Sequence, residues 1–213
     1  DVAYVISNEN LRYVRQNNKI YEIKYASILT KVNKYVKINM KNENNLEEYT
    51  VQNILDIAKA DNIITVFDFD GVLGSYEYGT HNHAIPSDKW TTFVKNEHPF
   101  NAGKPFVRPF NAVQNFIKQK SKEDVYVCTV VESMEELIGK REFAVREYGI
   151  LPDHVHAVSS NQEKLTYLQH LHQIKYGNIE ENNIAMIEDN VEILEYIMKH
   201  SNFLTIHISS FLE

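Results

Sequence analysis

Hydrophobic and polar positions follow two different periods along the chain, and the change separates a short N-terminal part from the rest. The segments LRYVRQ and KIYEIKY alternate apolar and polar residues around Asn17-Asn18, which predicts a β-hairpin over residues 11–25. Apolar residues then recur at helical spacing over residues 28–38 and 46–59, which predicts two helices. We therefore expect residues 1–60 to form a small α+β appendage that packs on the rest of the chain.

Beyond this appendage, short apolar runs alternate with amphipathic helical stretches. The predicted strands lie at Ile63–Asp68, Val125–Thr129, His154–Val158, Ile184–Ile187 and Phe203–Ile208. Strands separated by helices are typical of a parallel sheet that is covered by helices on both faces. Residues 61–213 are therefore expected to form an α/β domain whose ligands bind where the strands end.

Start and stop signals place helices between these strands. Pro109 suits the first position of a helix. Ser133 and Glu136 have the spacing of a capping box, and Gly149 would end the same helix. Ser160 and Glu163 repeat the capping-box spacing before another helix.

Composition narrows the class of protein. The chain has 213 residues, of which 43% are hydrophobic and 24% charged, so it is neither disordered throughout nor fibrous. Its single cysteine, Cys128, excludes a disulfide framework and a cysteine-based zinc site. No apolar run approaches the roughly 18 residues that a membrane span needs, and a cytoplasmic location fits best.

Charge is unevenly distributed. The net charge is −7, yet residues 1–42 hold eight Lys and Arg against three acidic residues. The polar, Asn-rich residues 41–46 mark the change and are the expected boundary. The basic helix predicted over 28–38 would suit an acidic partner or an anionic membrane surface, but a solvated lysine face is the commoner reason for such a pattern. No nucleic-acid partner is expected.

Two acidic residues follow the first buried strand in the run TVFDFDGVL, which spans residues 65–73. Asp68 and Asp70 would repel each other at this separation unless a cation or a phosphoryl group occupies the site. The alternative is a loop with two solvated acids, which the apolar flanks disfavour.

The run FDFDGVL resembles the first motif of the haloacid dehalogenase superfamily, the aspartate-nucleophile phosphatases. Three further motifs follow in order: Thr129 ends VYVCT, Lys164 opens the helix after VSSNQ, and Glu188-Asp189 follow IAMI. The resemblance covers about residues 62–210, and the N-terminal appendage has no counterpart in it. It implies a Rossmannoid three-layer α/β sandwich, like that of haloacid dehalogenases, with a central parallel sheet.

The resemblance also implies an activity, that of a Mg²⁺-dependent phosphomonoesterase with an aspartyl-phosphate intermediate. Asp68 would be the nucleophile, and Asp70 the general acid and then the general base. Asp68, Asp70 through its backbone carbonyl, and Asp189 would bind Mg²⁺. Thr129 and Lys164 would bind the phosphoryl group.

Further donors and competitors surround these residues. Backbone amides over Phe69–Gly71 would add hydrogen bonds to the phosphoryl oxygens. Lys140 competes with Lys164 for the lysine role, although its predicted position is in the middle of a helix.

Many relatives carry another Asp at the position that Ile193 occupies here. The residues that could support the metal instead, through hydrogen bonds or water, are Glu188, Asn190 and Glu192.

The chain also contains three His-x-His pairs, His81/His83, His154/His156 and His170/His172. Such a pair on a strand could bind zinc. Ordinary hydrogen-bonded or exposed histidines are the favoured interpretation, because no third ligand is evident near any pair.

The insert over residues 74–107 is too short for a large cap and can hold one short helix and a loop. A minimal cap implies an open site, which favours a phosphoprotein substrate over a metabolite. Four aromatic residues could flank the ring of a phosphotyrosine, which is therefore favoured, unless they only pack the insert: Tyr76, Tyr78, Trp90 and Phe93.

Other functions stay open. A small phosphate ester such as a nucleotide or sugar phosphate is one alternative substrate, with His81, His83 or the N-terminal appendage completing its pocket. A phosphotransferase is a second possibility, and a catalytically inactive binding module with this fold is a third. The oligomeric state is open.

Overall fold

The computed structural model describes residues 4–8, 11–16, 19–23, 51–76, 87–177 and 183–211. Several predictions fall outside these residues: the helix over 28–38, the boundary at 41–46, the turn at Asn17-Asn18, and the roles suggested for Tyr78, His81 and His83.

The described N-terminal residues form a three-stranded antiparallel sheet. Its strands are β1 (Tyr4–Asn8), β2 (Leu11–Gln16) and β3 (Lys19–Ile23). β2 pairs with β3, with Gln16 opposite Lys19, so the predicted hairpin is confirmed. β1 was not predicted, because its run YVIS lacks the alternation that indicates a half-buried strand.

A second, five-stranded sheet forms the centre of the α/β domain. The helices and strands from residue 51 onwards are, in chain order, α1 (Val51–Lys59), β4 (Ile64–Phe67), β5 (Gly74–Tyr76), α2 (Ser87–Glu97), β6 (Val107–Pro109), α3 (Asn111–Ile117), β7 (Val125–Val130), α4 (Met134–Tyr148), β8 (Val155–Val158), α5 (Asn161–Tyr176), β9 (Ile184–Glu188), α6 (Val191–His200) and β10 (Leu204–His207). The sheet order is β10-β9-β4-β7-β8, and all four pairings are parallel. The five predicted strands of this sheet are confirmed within one residue at each end.

Helices cover both faces of this sheet. Val66 in β4 packs in a buried cluster that includes Leu168 of α5, whereas Phe67 packs in the opposite cluster with Phe116 of α3 and Phe143 of α4. The neighbouring residues of one strand thus serve two cores, as the alternation of side chains in a strand requires. The α/β arrangement of a central parallel sheet flanked by helices is therefore present.

The helix at the end of the predicted appendage belongs to the same core. Leu55 and Ala58 of α1 are buried in the cluster that contains Phe67. Two side chains from the α/β domain donate to the carbonyl of Ala58 near the end of this helix: Thr65 Oγ1 at 3.1 Å and Lys120 Nζ at 2.9 Å.

Helix capping agrees with the sequence at one site and differs at two. Ser133 Oγ accepts from Glu136 N at 3.1 Å, and Gly149 ends α4 with φ of 67°. Pro109 does not start a helix: it ends β6, opposite Gly74 of β5, because the fixed φ of proline fits an extended strand end as well as a helix start.

The second capping box is shifted. Ser160 is the residue before α5, but its side chain makes no capping bond. Glu163 instead accepts from Ser159, from the backbone N at 2.9 Å and from Oγ at 2.7 Å. The preceding serine thus satisfies the Glu163 carboxylate in place of Ser160.

The described part of the insert consists of β5, α2 and β6, with β5 and β6 paired antiparallel. The expected short helix is present in the described part of the insert as α2, and the two strands at the ends of the insert were missed. Within the ranges given above, no helix has both the length and the apolar composition to cross a membrane.

Candidate active site

Acidic residues converge where β4 and β9 end side by side in the sheet. Asp68 directly follows β4, and its backbone N donates to Ile187 O of β9 at 2.9 Å. Glu188 ends β9, and Asp189 follows it. The chain leaves β4 towards β7 and β8 and later returns to β9 and β10 on the other side, so the acids meet at a topological switch point.

A tight turn after β4 brings backbone close to Asp189. Phe69 O accepts from the backbone N of Val72, Leu73 and Gly74. Gly71 has φ of 74°, and a Cβ on it would lie 2.2 Å from Asp189 Oδ2. Only glycine fits this position, so the turn can approach the acidic group without a side chain between them.

Asp68 is part of a buried ionic cluster on the α5 side of the site. Lys164 Nζ lies 2.9 Å from Asp68 Oδ1 and 2.7 Å from Glu188 Oε2. Glu188 Oε1 also accepts from the backbone N of Asp189 and of Asn190, at 3.2 Å each. All three charged side chains of the cluster are at least nine-tenths buried.

Negative charge exceeds positive charge in this cluster. Burial raises the pKa of Asp68, and Lys164 only partly opposes this while Asp70 adds to it. Burial and Asp68 likewise raise the pKa of Glu188. Burial alone would lower the pKa of Lys164, but Asp68 and Glu188 outweigh it and raise the pKa. Two carboxylates that resist ionisation next to one ammonium group favour a further cation.

A second lysine, Lys140 of α4, enters the site from the opposite side. Its Nζ lies 2.6 Å from Asp70 Oδ2 and 2.8 Å from Glu136 Oε1. It also donates to Thr129 Oγ1 at 3.2 Å. Both lysines therefore reach the site and contact different aspartates, so they do not compete for one position.

The sequence favoured Lys164 over Lys140, because the predicted position of Lys140 in the middle of a helix did not suggest a contact with the site. Helical side chains point back towards the N-terminus, so a long side chain in the second turn can reach the end of the preceding strand. One signal was present: Glu136 and Lys140 fall on the same stripe as Phe143 and Ala144, all of them buried. Charged residues on an apolar stripe are rarely buried without a partner or a function.

The site fits a metal ion at the Asp68 side. Asp68, Glu188 and Asp189 each offer a carboxylate oxygen within 4.8 Å of the others. Asp68 Oδ1 is buried and, despite the nearby Lys164, has no well-oriented hydrogen bond. An unsatisfied buried carboxylate oxygen within an all-oxygen donor set suits Mg²⁺.

The remaining residues predicted around the metal differ in position. Glu188 joins the acidic group itself. Asn190 Oδ1 accepts from Glu192 N at 2.9 Å and thereby caps α6. Both Asn190 and Glu192 are exposed, and Ile193 is buried in the core.

The phosphate-binding residues predicted from the sequence lie around the same strand ends. Thr129 is fully buried in β7, next to β4 in the sheet. Its Oγ1 donates to Val130 O at 3.3 Å and accepts from Lys140. The backbone N of Gly71 donates to Gly74 O at 2.9 Å within the turn.

The aromatic residues of the insert pack mainly on one another. The ring of Tyr76 meets Trp90 edge-on at 5.8 Å, Trp90 lies 5.7 Å from Phe93, and Phe93 lies 5.4 Å from Phe106. Tyr76 is buried and its hydroxyl donates to Asp70 Oδ1. For Tyr76 the packing interpretation therefore holds, whereas Trp90 and Phe93 are half-buried.

The described histidines do not form a metal site. Within the ranges that the structure covers, the acidic group above is the one set of three or more ligating side chains close enough to share an ion. His154 precedes β8 and bonds Val125 O, His156 packs near Tyr167, and His172 is buried next to Phe203. His170 is exposed.

No protein-family model matches the chain, and no curated protein matches it. The residues and geometry of the site therefore carry the functional proposal.

Proposed function

We propose that this protein is a Mg²⁺-dependent phosphomonoesterase of the haloacid dehalogenase type, with an aspartyl-phosphate intermediate on Asp68. One observation carries the proposal: a buried aspartate with a raised pKa stands at the switch point of the sheet, in contact with Lys164 and beside Glu188 and Asp189. Such a carboxylate adds nothing to the hydrophobic core, and perturbed acids in this position are typical of active sites.

The first half-reaction uses Asp68 and Asp70. A carboxylate oxygen of Asp68 attacks the phosphorus, the bond from phosphorus to the leaving oxygen breaks, and Asp70 gives that oxygen a proton. Lys164 holds the Asp68 carboxylate and would place positive charge beside the phosphoryl oxygens. Thr129 lies at the end of the adjacent strand, where its hydroxyl could donate to the same oxygens.

The second half-reaction regenerates the protein. Asp70 takes a proton from water as the water oxygen attacks the phosphorus, and the bond to Asp68 breaks. Inorganic phosphate leaves, Asp68 is again a carboxylate, and Asp70 again carries the proton for the next cycle. One side chain thus serves both steps, first as acid and then as base.

The residues that would hold Mg²⁺ are Asp68, Asp189 and the backbone carbonyl of Asp70, with Glu188 as a further carboxylate in the group. The ion would neutralise charge on the phosphoryl oxygens while the phosphoryl group is transferred from the leaving group to Asp68. Glu188, already bonded to Lys164, would then orient that lysine as well.

For the substrate we propose a phosphoprotein, with phosphotyrosine favoured. Support comes from the small size of the insert, whose described elements are one helix and two three-residue strands. A small insert leaves the site open to a side chain that another protein presents. Trp90 and Phe93 of α2 are the described aromatic residues that could contact an aryl leaving group.

The activity test uses an aryl phosphate with Mg²⁺ and the variant Asp68→Asn. We expect turnover by the wild type and its loss in the variant, with an unchanged fold by circular dichroism. Asp153→Asn is the matched control, because Asp153 is an exposed aspartate that precedes β8, at the opposite edge of the sheet. Full activity of Asp68→Asn would refute the mechanism.

The substrate test compares kcat/KM for phosphotyrosine peptides, phosphoserine peptides, nucleotides and sugar phosphates at fixed Mg²⁺. We expect the phosphotyrosine peptides to lead. If a nucleotide or sugar phosphate exceeds every peptide by about tenfold, roughly 1.4 kcal/mol of transition-state preference, the phosphoprotein proposal is wrong.

A further inference from the structure

Two side chains from different elements hold the carboxylate of Asp70, one on each oxygen. Lys140 Nζ of α4 lies 2.6 Å from Oδ2, and the Tyr76 hydroxyl of β5 donates to Oδ1. Asp70 lies in the turn after β4, and more than a third of its side chain is exposed. A carboxylate in such a turn would otherwise rotate among several orientations, so these contacts select one.

Lys140 is itself held firmly. Besides Asp70, its ammonium group contacts Glu136 Oε1 at 2.8 Å, Thr129 Oγ1 at 3.2 Å and Val130 O at 3.1 Å. The side chain is fully buried, and its Nζ lies 5.3 Å from the centre of the Phe69 ring. Because the strand end, the turn and α4 all contact one ammonium group, its position is fixed relative to the whole site.

Packing does not require a lysine here. Lys140 occupies the buried face of α4 that also carries Phe143 and Ala144. An apolar side chain would suit that face, and replacing buried ion pairs by apolar residues is often neutral for stability. The positive charge of Lys140 therefore indicates a role in holding a carboxylate, and the carboxylate at the shortest distance is that of Asp70.

Resting on the proposed function, we infer that Lys140 and Tyr76 are positioning residues for Asp70. They hold its carboxyl where it can give a proton to the leaving oxygen and later take one from water. Each lysine of the site thus holds a different aspartate: Lys164 contacts Asp68, and Lys140 contacts Asp70. Lys140 and Tyr76 act through Asp70 and need not touch the phosphoryl group.

The test exploits leaving groups that differ in their need for a proton. Phenolate, with a conjugate-acid pKa of about 10, is a poor leaving group unless it is protonated, whereas dinitrophenolate leaves readily without a proton. The variants Tyr76→Phe and Lys140→Met/Glu136→Gln are compared with wild type on phenyl phosphate and dinitrophenyl phosphate. The measured quantity is kcat/KM, which includes the attack by Asp68 and excludes the later hydrolysis of the intermediate.

We expect each variant to lose at least about tenfold more kcat/KM on phenyl phosphate than on dinitrophenyl phosphate, because general acid catalysis is typically worth more than that. An equal loss on both substrates would overturn the inference and indicate a purely structural role. Lys120→Met is the matched control, since Lys120 is a buried lysine away from the site and should leave the ratio unchanged.

Two further outcomes are separable. Tyr76→Phe keeps every charge, so its ratio decides the inference if the Lys140 double variant does not fold. Wild-type protein that hydrolyses neither ester contradicts the proposed function, and this inference with it. Wild-type turnover with equal losses in the variants contradicts the positioning role alone.

Discussion

In the part of the chain that the structure describes, buried lysines occur in two regions, and their partners differ. At the carboxyl edge of the central sheet, Lys164 and Lys140 contact carboxylates at 2.6 to 2.9 Å. At the junction of α1 and β4, Lys120 donates only to backbone carbonyls, Ala58 O at 2.9 Å, Ala60 O at 3.1 Å and Ile63 O at 2.8 Å. In the first region the lysines form ion pairs with carboxylates, whereas in the second the lysine satisfies backbone carbonyls at the end of α1 and just before β4.

The pKa of each lysine reflects this difference. Burial lowers the pKa of Lys120, and the distant Asp124 and Asp61 do not compensate. Burial also acts on Lys140, but Asp70 and Glu136 reverse its effect and raise the pKa. A buried lysine alone therefore indicates little about function, whereas one that is held between carboxylates near the ends of the strands indicates a site.

Replacing Lys164 by Met should have the largest effect. Asp68 and Glu188 would lose their shared cation. In the proposed mechanism the phosphoryl group would also lose a positive charge. We expect kcat to fall by about 100- to 1,000-fold, the usual loss when one electrostatic stabiliser is removed. The measurement is steady-state turnover of an aryl phosphate, and Lys175→Met, at an exposed lysine on the same helix, is the control. A loss of less than threefold would place Lys164 with Lys120 as a structural residue.

Mg²⁺ should stabilise the acidic side of the site. A bound cation would offset the burial and the mutual repulsion that raise the pKa of Asp68 and Glu188. Binding would favour the folded state by about 2.7 kcal/mol at a concentration of 100 times Kd. We expect the thermal midpoint to rise on adding Mg²⁺, to fall back with chelator, and to respond less in Asp189→Asn. Na⁺ at matched ionic strength is the control for salt effects. An equal response of wild type and Asp189→Asn would exclude Asp189 as a ligand.

Of the two lysine–aspartate contacts at the site, the sequence predicted one, and the reason is geometric. Lys164 follows directly from motif order, because it lies in the first turn of α5, next to a strand end. Lys140 depends on the packing of α4 against the sheet, which brings a residue 11 positions beyond Thr129 back onto its hydroxyl. Periodicity predicts which face of α4 is buried, but not that the ammonium group would meet Asp70.

The fold shows the same division. Apolar runs predicted all five strands of the parallel sheet, because buried strands have a strong local signal. The strands β5 and β6, each three residues long, were missed, since their pairing depends on residues more than 30 positions apart. Tyr76 lies in β5, and its hydroxyl bonds Asp70. The pairing of the insert strands and the contact between Tyr76 and Asp70 were therefore missed together.

Replacing Lys120 by Met should affect stability without affecting catalysis. Three carbonyls at the end of α1 and the start of β4 would lose a donor, which typically costs about 1 to 3 kcal/mol. We expect a lower urea midpoint at unchanged kcat. Lys118→Met, at the exposed lysine that directly follows α3, is the control. A large loss of kcat in folded Lys120→Met would remove the distinction between the two regions.

His156 extends the comparison to a residue whose pKa, like that of Lys120, is lowered by burial, with further contributions from His154 and Arg141. A histidine with a lowered pKa in the folded state takes up its proton more readily when unfolded. Its contribution to stability is therefore present above pH 6.5 and is lost as the pH falls below that value. We expect His156→Gln to flatten this acid-side decline by roughly 0.5 kcal/mol or less, because the side chain is only half-buried and solvent screens its charge.

The measurement is the free energy of unfolding in urea at pH values from 7.5 down to 5.5, for wild type and variant side by side. His170→Gln, at an exposed histidine on α5, should keep the wild-type slope. Parallel curves for wild type and His156→Gln would mean that burial does not perturb this imidazole.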